Sequence, residues 1–91
     1  MKNIFNYYKI LGVERSATTD EIKKSYYQLA KKYHPDVNPS TNEKYLLINE
    51  AYNVLGDIDN RLEYSINIYN EILKEVERGN GSFEEMLNNF I

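Results

Sequence analysis

Between Asp20 and Tyr33 the apolar positions Ile22, Tyr26, Leu29, Ala30 and Tyr33 recur at helical spacing and form one stripe. Thr18-Thr19-Asp20-Glu21 stands in front of it as a capping box: the Thr18 hydroxyl can accept from the Glu21 amide while the Glu21 carboxylate reaches back. Pro35 constrains His34 before it and lacks an amide hydrogen, so the pattern predicts a helix over 19–33. A second start signal follows at Ser40 and Glu43. Beyond it Tyr45, Ile48, Tyr52 and Leu55 make another stripe, flanked by Ala51 and Val54, until Gly56-Asp57 closes it.

Two helices of this length, joined by so short a loop, are expected to pack as an antiparallel hairpin. Burying their stripes would stabilise the fold by roughly 1.5–3 kcal/mol for each fully buried large side chain. Ahead of the hairpin, Tyr7-Tyr8-Lys9-Ile10-Leu11-Gly12-Val13 predicts a short helical turn ended by Gly12. Behind it, residues 60–78 predict a third long helix with Leu62, Ile66, Tyr69, Leu73 and Val76 on one stripe. Gly79-Asn80-Gly81 breaks that helix, and Ser82 opens a last short segment carrying Phe83, Met86, Leu87 and Phe90. The expected fold class is all-α.

Ninety-one residues limit the chain to one small domain with a modest core. At 42% hydrophobic and 27% charged, the composition fits a folded globular chain. No apolar run is long enough to span a bilayer, and the first residues lack the apolar centre of a secretory signal, so no membrane partner is expected. Net charge is -3, unevenly spread. Residues 1–56 carry eight basic and six acidic side chains; residues 57–91 carry three and eight. A basic N-terminal surface beside an acidic C-terminal segment follows, unless both are ordinary solvated helix faces.

Candidate chemistry is sparse. There is one histidine and no cysteine, hence no disulfide framework and no visible set of metal ligands. No glycine-rich phosphate loop occurs, and Glu84-Glu85 reads as a solvated helix start. No catalytic residue, cofactor or metal is expected, and binding is the better class. Four lysines on a net-acidic chain, without a recognition motif, argue against nucleic acid. The unusual feature is His34-Pro35-Asp36-Val37-Asn38-Pro39, where two prolines bracket a histidine and an acid at the hairpin tip. Prolines lower the entropy cost of presenting such a turn to a partner. By itself, the tripeptide fits equally an ordinary helix stop followed by a turn.

Several segments, taken in order, carry a more specific signal. These are Tyr7 to Val13, Asp20 to Tyr26, Leu29-Ala30-Lys31-Lys32-Tyr33-His34-Pro35-Asp36, Ile48 to Asp57, and Arg61 with Tyr64. Together they resemble the J-domain pattern of DnaJ-like co-chaperones over roughly residues 5–65. The resemblance implies a J-domain at 1–65, a helical extension at 66–91 and a cytoplasmic location. Its implied partner is a DnaK-type chaperone of the heat shock protein 70 family, whose ATP hydrolysis the loop would stimulate. Partner-binding residues would be His34, Pro35, Asp36 and Asn38, the basic face Lys23, Lys24, Lys31 and Lys32, and Tyr26; Tyr45 would steady the loop. The alternative is a J-like scaffold or targeting subunit that docks without stimulating.

Departures from the pattern are also present. Tyr27 and Gln28 stand where many members are basic, which thins the cationic face, and Asn60 and Ser65 replace a usual lysine and aspartate. Residues 66–91 match no client-binding region, so their apolar stripe is expected to meet the domain, a client or a second copy.

Overall fold

The structure, a computed structural model, describes residues 5–90, with side chains through Asn88. Five α-helices follow one another: α1 (Tyr7–Leu11), α2 (Thr19–Tyr33), α3 (Asn42–Leu55), α4 (Ile58–Glu77) and α5 (Phe83–Phe90). A single 3-10 turn, Pro39–Thr41, precedes α3, and no strand occurs among the described residues. The chain is all-α.

The capping box in front of α2 forms as its spacing predicts. Thr18 Oγ1 accepts from the Glu21 amide at 3.2 Å, and Glu21 Oε1 accepts from the Thr18 amide at 3.3 Å. Such a cap stabilises a helix by about 1 kcal/mol. At the far end His34 is extended (φ -58, ψ 136), the conformation that a following proline imposes.

The second box does not form. Ser40 Oγ donates instead to Asn38 Oδ1 at 2.7 Å, and α3 begins at Asn42 without a side-chain cap. The connection is too short to spare Ser40 for capping, because Pro39 starts a 3-10 turn that uses these side chains to close the loop. Gly56 then ends α3 where the Tyr52 ring lies back over the chain. A Cβ at Gly56 would sit 2.6 Å from a Tyr52 ring carbon and 2.7 Å from its carbonyl oxygen.

α2 and α3 pack antiparallel, as the contacts Tyr26–Tyr52 and His34–Tyr45 require. Ile22, Ile48 and Leu55 are fully buried, with Leu11 of α1 and Ile72 of α4. α1 has only five residues and is held from outside. The Tyr64 hydroxyl donates to Phe5 O at 2.6 Å and accepts from the Tyr7 amide at 3.2 Å. Burial pushes this phenol up to about 12, with the Tyr7 amide pulling the other way. Arg61 donates through Nε to the Tyr8 hydroxyl (3.2 Å) and through Nη2 to Arg15 O (3.0 Å). Ser25 Oγ donates to Leu11 O.

α4 departs from the expected register. It starts at Ile58 rather than residue 60, because Asp57 caps it by accepting from the Asn60 amide at 3.0 Å. Its buried face is Tyr64, Ile68, Glu71, Ile72 and Glu75. Of the stripe that periodicity picked out, Leu62 (59% exposed), Ile66 (49%), Tyr69 (40%) and Leu73 (49%) face outward, and Val76 is partly covered. The helix carries two apolar arcs, and the core took the one interrupted by two glutamates. Glu75 is held there by Asn80 Nδ2 and Arg78 Nη1, each at 2.7 Å. α5, capped by Ser82, folds back onto α4, where Phe83 stacks on Tyr69 (5.5 Å, 12°). The side chain of Phe90 lies outside the described residues.

Candidate functional site

The loop at the tip of the hairpin is closed by its own backbone. The amides of Val37 and Asn38 both donate to His34 O at 2.9 Å. Thr41 Oγ1 reaches back to Tyr33 O (3.0 Å) and Asn38 O (2.8 Å), tying the end of α2 to the 3-10 turn. Pro35 is half-buried between them.

Within this frame His34 Nδ1 accepts the Asp36 amide at 3.1 Å. That bond needs a bare Nδ1, so the neutral ring carries its proton on Nε2 and can donate outward. The Asp36 side chain is 92% exposed, with Oδ2 3.6 Å from Nδ1. The carboxylate thus points to solvent beside the imidazole. Tyr45 sets its ring edge-on to His34 at 5.2 Å and 65°. Asn38 is exposed, and its Oδ1 and O accept from Ser40 and Thr41. These bonds shape the loop while the residue stays on its surface.

The lysines lie along the outer side of α2. Lys23, Lys24, Lys31 and Lys32 are all exposed, and the 3.6-residue period brings Lys24 and Lys31 into line at its centre. Tyr27, 56% exposed, stands among them with the Lys23 ammonium 5.9 Å from its ring. Tyr26 points the other way. It stacks on Tyr52 (4.1 Å, 8°) and donates to Asn49 Oδ1 at 2.7 Å, so it belongs to the α2–α3 seam, where burial pushes its phenol up.

Tyr33 was expected in the core and is only half-buried. The ammonium of Lys44 lies 4.4 Å from its ring and that of Lys32 at 5.2 Å. Lys44, by hydrogen bonding, and then the charge of Lys32 pull the Tyr33 phenol down. Lys44 therefore adds a cation beside the loop that stripe reading did not select. Its place immediately before Tyr45 is the signal that could have found it. Among the described residues no three metal-ligating side chains converge, and no helix is long and apolar enough to cross a membrane.

A stiff, proline-bracketed tip on a helical hairpin, flanked by a row of ammonium groups, defines a helical binding module. The chain belongs to the DnaJ domain family, whose model matches residues 6–65. It is similar to a curved DNA-binding protein of Coxiella burnetii, 59% identical over 61 residues, covering 65% of this chain and 20% of that protein. It is also similar to chaperone protein DnaJ 2 of Synechocystis, 51% identical over 72 residues (76% and 24%). Chaperone protein DnaJ of Carboxydothermus hydrogenoformans is 58% identical over 62 residues (65% and 16%). The chain thus spans between about a sixth and a quarter of the length of these curated relatives.

Proposed function

We propose that the protein is a co-chaperone that docks on a DnaK-type chaperone of the heat shock protein 70 family and stimulates its ATP hydrolysis, in the cytoplasm. The observation that carries this reading is the exposed Asp36 carboxylate beside the His34 ring, whose Nδ1 accepts the Asp36 amide. Lys24 and Lys31, with Lys23 and Lys32 beside them, attract an acidic surface and speed encounter, an effect that weakens with salt. The loop then engages a partner element that has two arrangements. Binding one of them more tightly shifts the partner toward hydrolysis, so this chain contributes no catalytic group.

Single-turnover ATP hydrolysis by a DnaK-type partner tests the proposal. Asp36→Asn and His34→Gln are expected to keep the melting temperature and to lose stimulation by at least about tenfold, the equivalent of 1.4 kcal/mol of coupling. Stimulation equal to the unaltered chain would sink it. Docking without stimulation by the unaltered chain would favour a scaffold, a reading that Tyr27 and Gln28 in the lysine row keep in view.

A further inference from the structure

A cleft where the loop between α1 and α2 meets α4 is cationic, in a chain whose net charge is -3. It measures about 280 Å³ and is lined by Tyr8, Arg15, Arg61, Ser65, Ile68 and Tyr69, with no carboxylate among them. Both arginines are half-buried, and among the described residues neither forms an ion pair. Arg61 spends Nε on the Tyr8 hydroxyl and Nη2 on the Arg15 carbonyl, while Nη1 finds no acceptor among the described residues. The Tyr8 side chain is buried, with 5% of the residue exposed; its oxygen accepts from Arg61, and its own proton has no acceptor among those residues either. Ser65 lies one helical turn beyond Arg61, where a carboxylate would reach the guanidinium and where the J-domain pattern usually has aspartate. Its hydroxyl turns back instead to Arg61 O at 3.1 Å. A half-buried charge left without a counter-charge is costly.

We propose that this cleft binds a small phosphate monoester, whose oxygens take donors from Arg61, Arg15 and Tyr8 while its organic group lies on Ile68 and Tyr69. A guanidinium presents a planar fork that matches phosphate, and two of them balance a dianion. The volume sets the size of the ligand. A cleft at the small end of the range for small-molecule sites takes a phosphate with a ring-sized group and excludes a helix or a duplex. The adjoining cleft across Arg15 is larger, about 450 Å³, but Glu14 offsets Lys9 there, so charge marks it less. Because Arg61 also holds α1, an anion bound to it adds to the clasp between α1 and α4 and raises the melting temperature with occupancy. The site shares no residue with the hairpin loop, and its ligand is independent of any chaperone.

Heteronuclear NMR titration of the 91-residue chain with phenyl phosphate, at constant ionic strength and with sodium chloride as control, tests this. Saturable shifts are expected at Tyr8, Arg15, Arg61 and Ser65, with Kd on the order of 1 mM. Arg15→Gln keeps the carbonyl that Arg61 uses, so it is expected to keep the melting temperature and to weaken binding at least about tenfold. Ser65→Asp supplies the missing carboxylate from within and is expected to weaken binding as much while retaining helicity. The proposal is overturned by shifts that do not saturate, that chloride reproduces, or that centre on the α2 lysines. It is equally overturned if either folded variant binds as the unaltered chain does. Tighter binding of a phosphotyrosyl peptide than of phenyl phosphate would assign the site to a protein partner and overturn the small ligand.

Discussion

The Thr41 hydroxyl tests whether the loop is held from behind. Its Oγ1 lies 3.0 Å from Tyr33 O and 2.8 Å from Asn38 O, so one proton is shared between two carbonyls. Thr41→Val keeps the shape and removes the proton. Asn38 O retains the Thr41 amide at 3.1 Å, and the loss falls on the Tyr33 carbonyl at the end of α2. One part-buried hydrogen bond is worth about 1 kcal/mol net. In a domain of this size that lowers the melting temperature by roughly 4–8 °C. If the loosened loop spends time away from its docking geometry, apparent affinity for the chaperone falls with the competent fraction, by at most about fivefold for 1 kcal/mol. Thermal melting followed by circular dichroism, and titration of the chain against ATP hydrolysis by the chaperone, read the two effects separately. A lower melting point with unchanged half-maximal stimulation would refute the link between this bond and presentation of His34 and Asp36. An unchanged melting point would refute the bond itself.

Three further outcomes follow from the packing and charge. Gly56→Ala places a methyl 2.7 Å from the backbone oxygen of Tyr52, which cannot swing aside, so denaturant melts should show about 1–3 kcal/mol of lost stability. Asn80, with Arg78 beside it, draws the Glu75 carboxyl down to about 2 from an ordinary 4.5. Its contribution is therefore complete above pH 4.5 and is lost as pH falls toward 2, and Glu75→Gln should flatten that acid limb of a melting-temperature profile. Replacing Lys24 and Lys31 together with glutamate is expected to slow association with the DnaK-type chaperone by about tenfold at low salt and to flatten its salt dependence in stopped-flow measurements.

The hairpin was legible because its signals agree with one another: the Thr18–Glu21 box, the Ile22 and Ile48 stripes and the stop at Pro35 all point to the same helix bounds. The loop was legible for the same reason, since proline chemistry and helix ends coincide there. α4 was not. Its sequence offers two apolar arcs, and the outward one has more continuous aliphatic character than the inward one, where Glu71 and Glu75 intervene. Periodicity ranks faces by hydrophobicity. It cannot see that Arg78 and Asn80 satisfy one of those carboxylates. The Ser40–Glu43 box failed on a similar ground, because a residue that can cap a helix can equally close the loop before it. Tyr26 turns inward for reasons of contact that one-dimensional spacing does not contain.

The grip of Tyr64 and Arg61 on α1 has a kinetic meaning. One helical turn cannot persist alone in water, and the bonds that Tyr64 and Arg61 bring to it and its flanks span 46 to 59 residues of sequence. The hairpin needs only neighbours along the chain and can assemble early, giving α1 a surface to lie on; the bonds from α4 reach across a longer separation and complete its grip. Amide exchange in α1 therefore reports whether the far helix is seated.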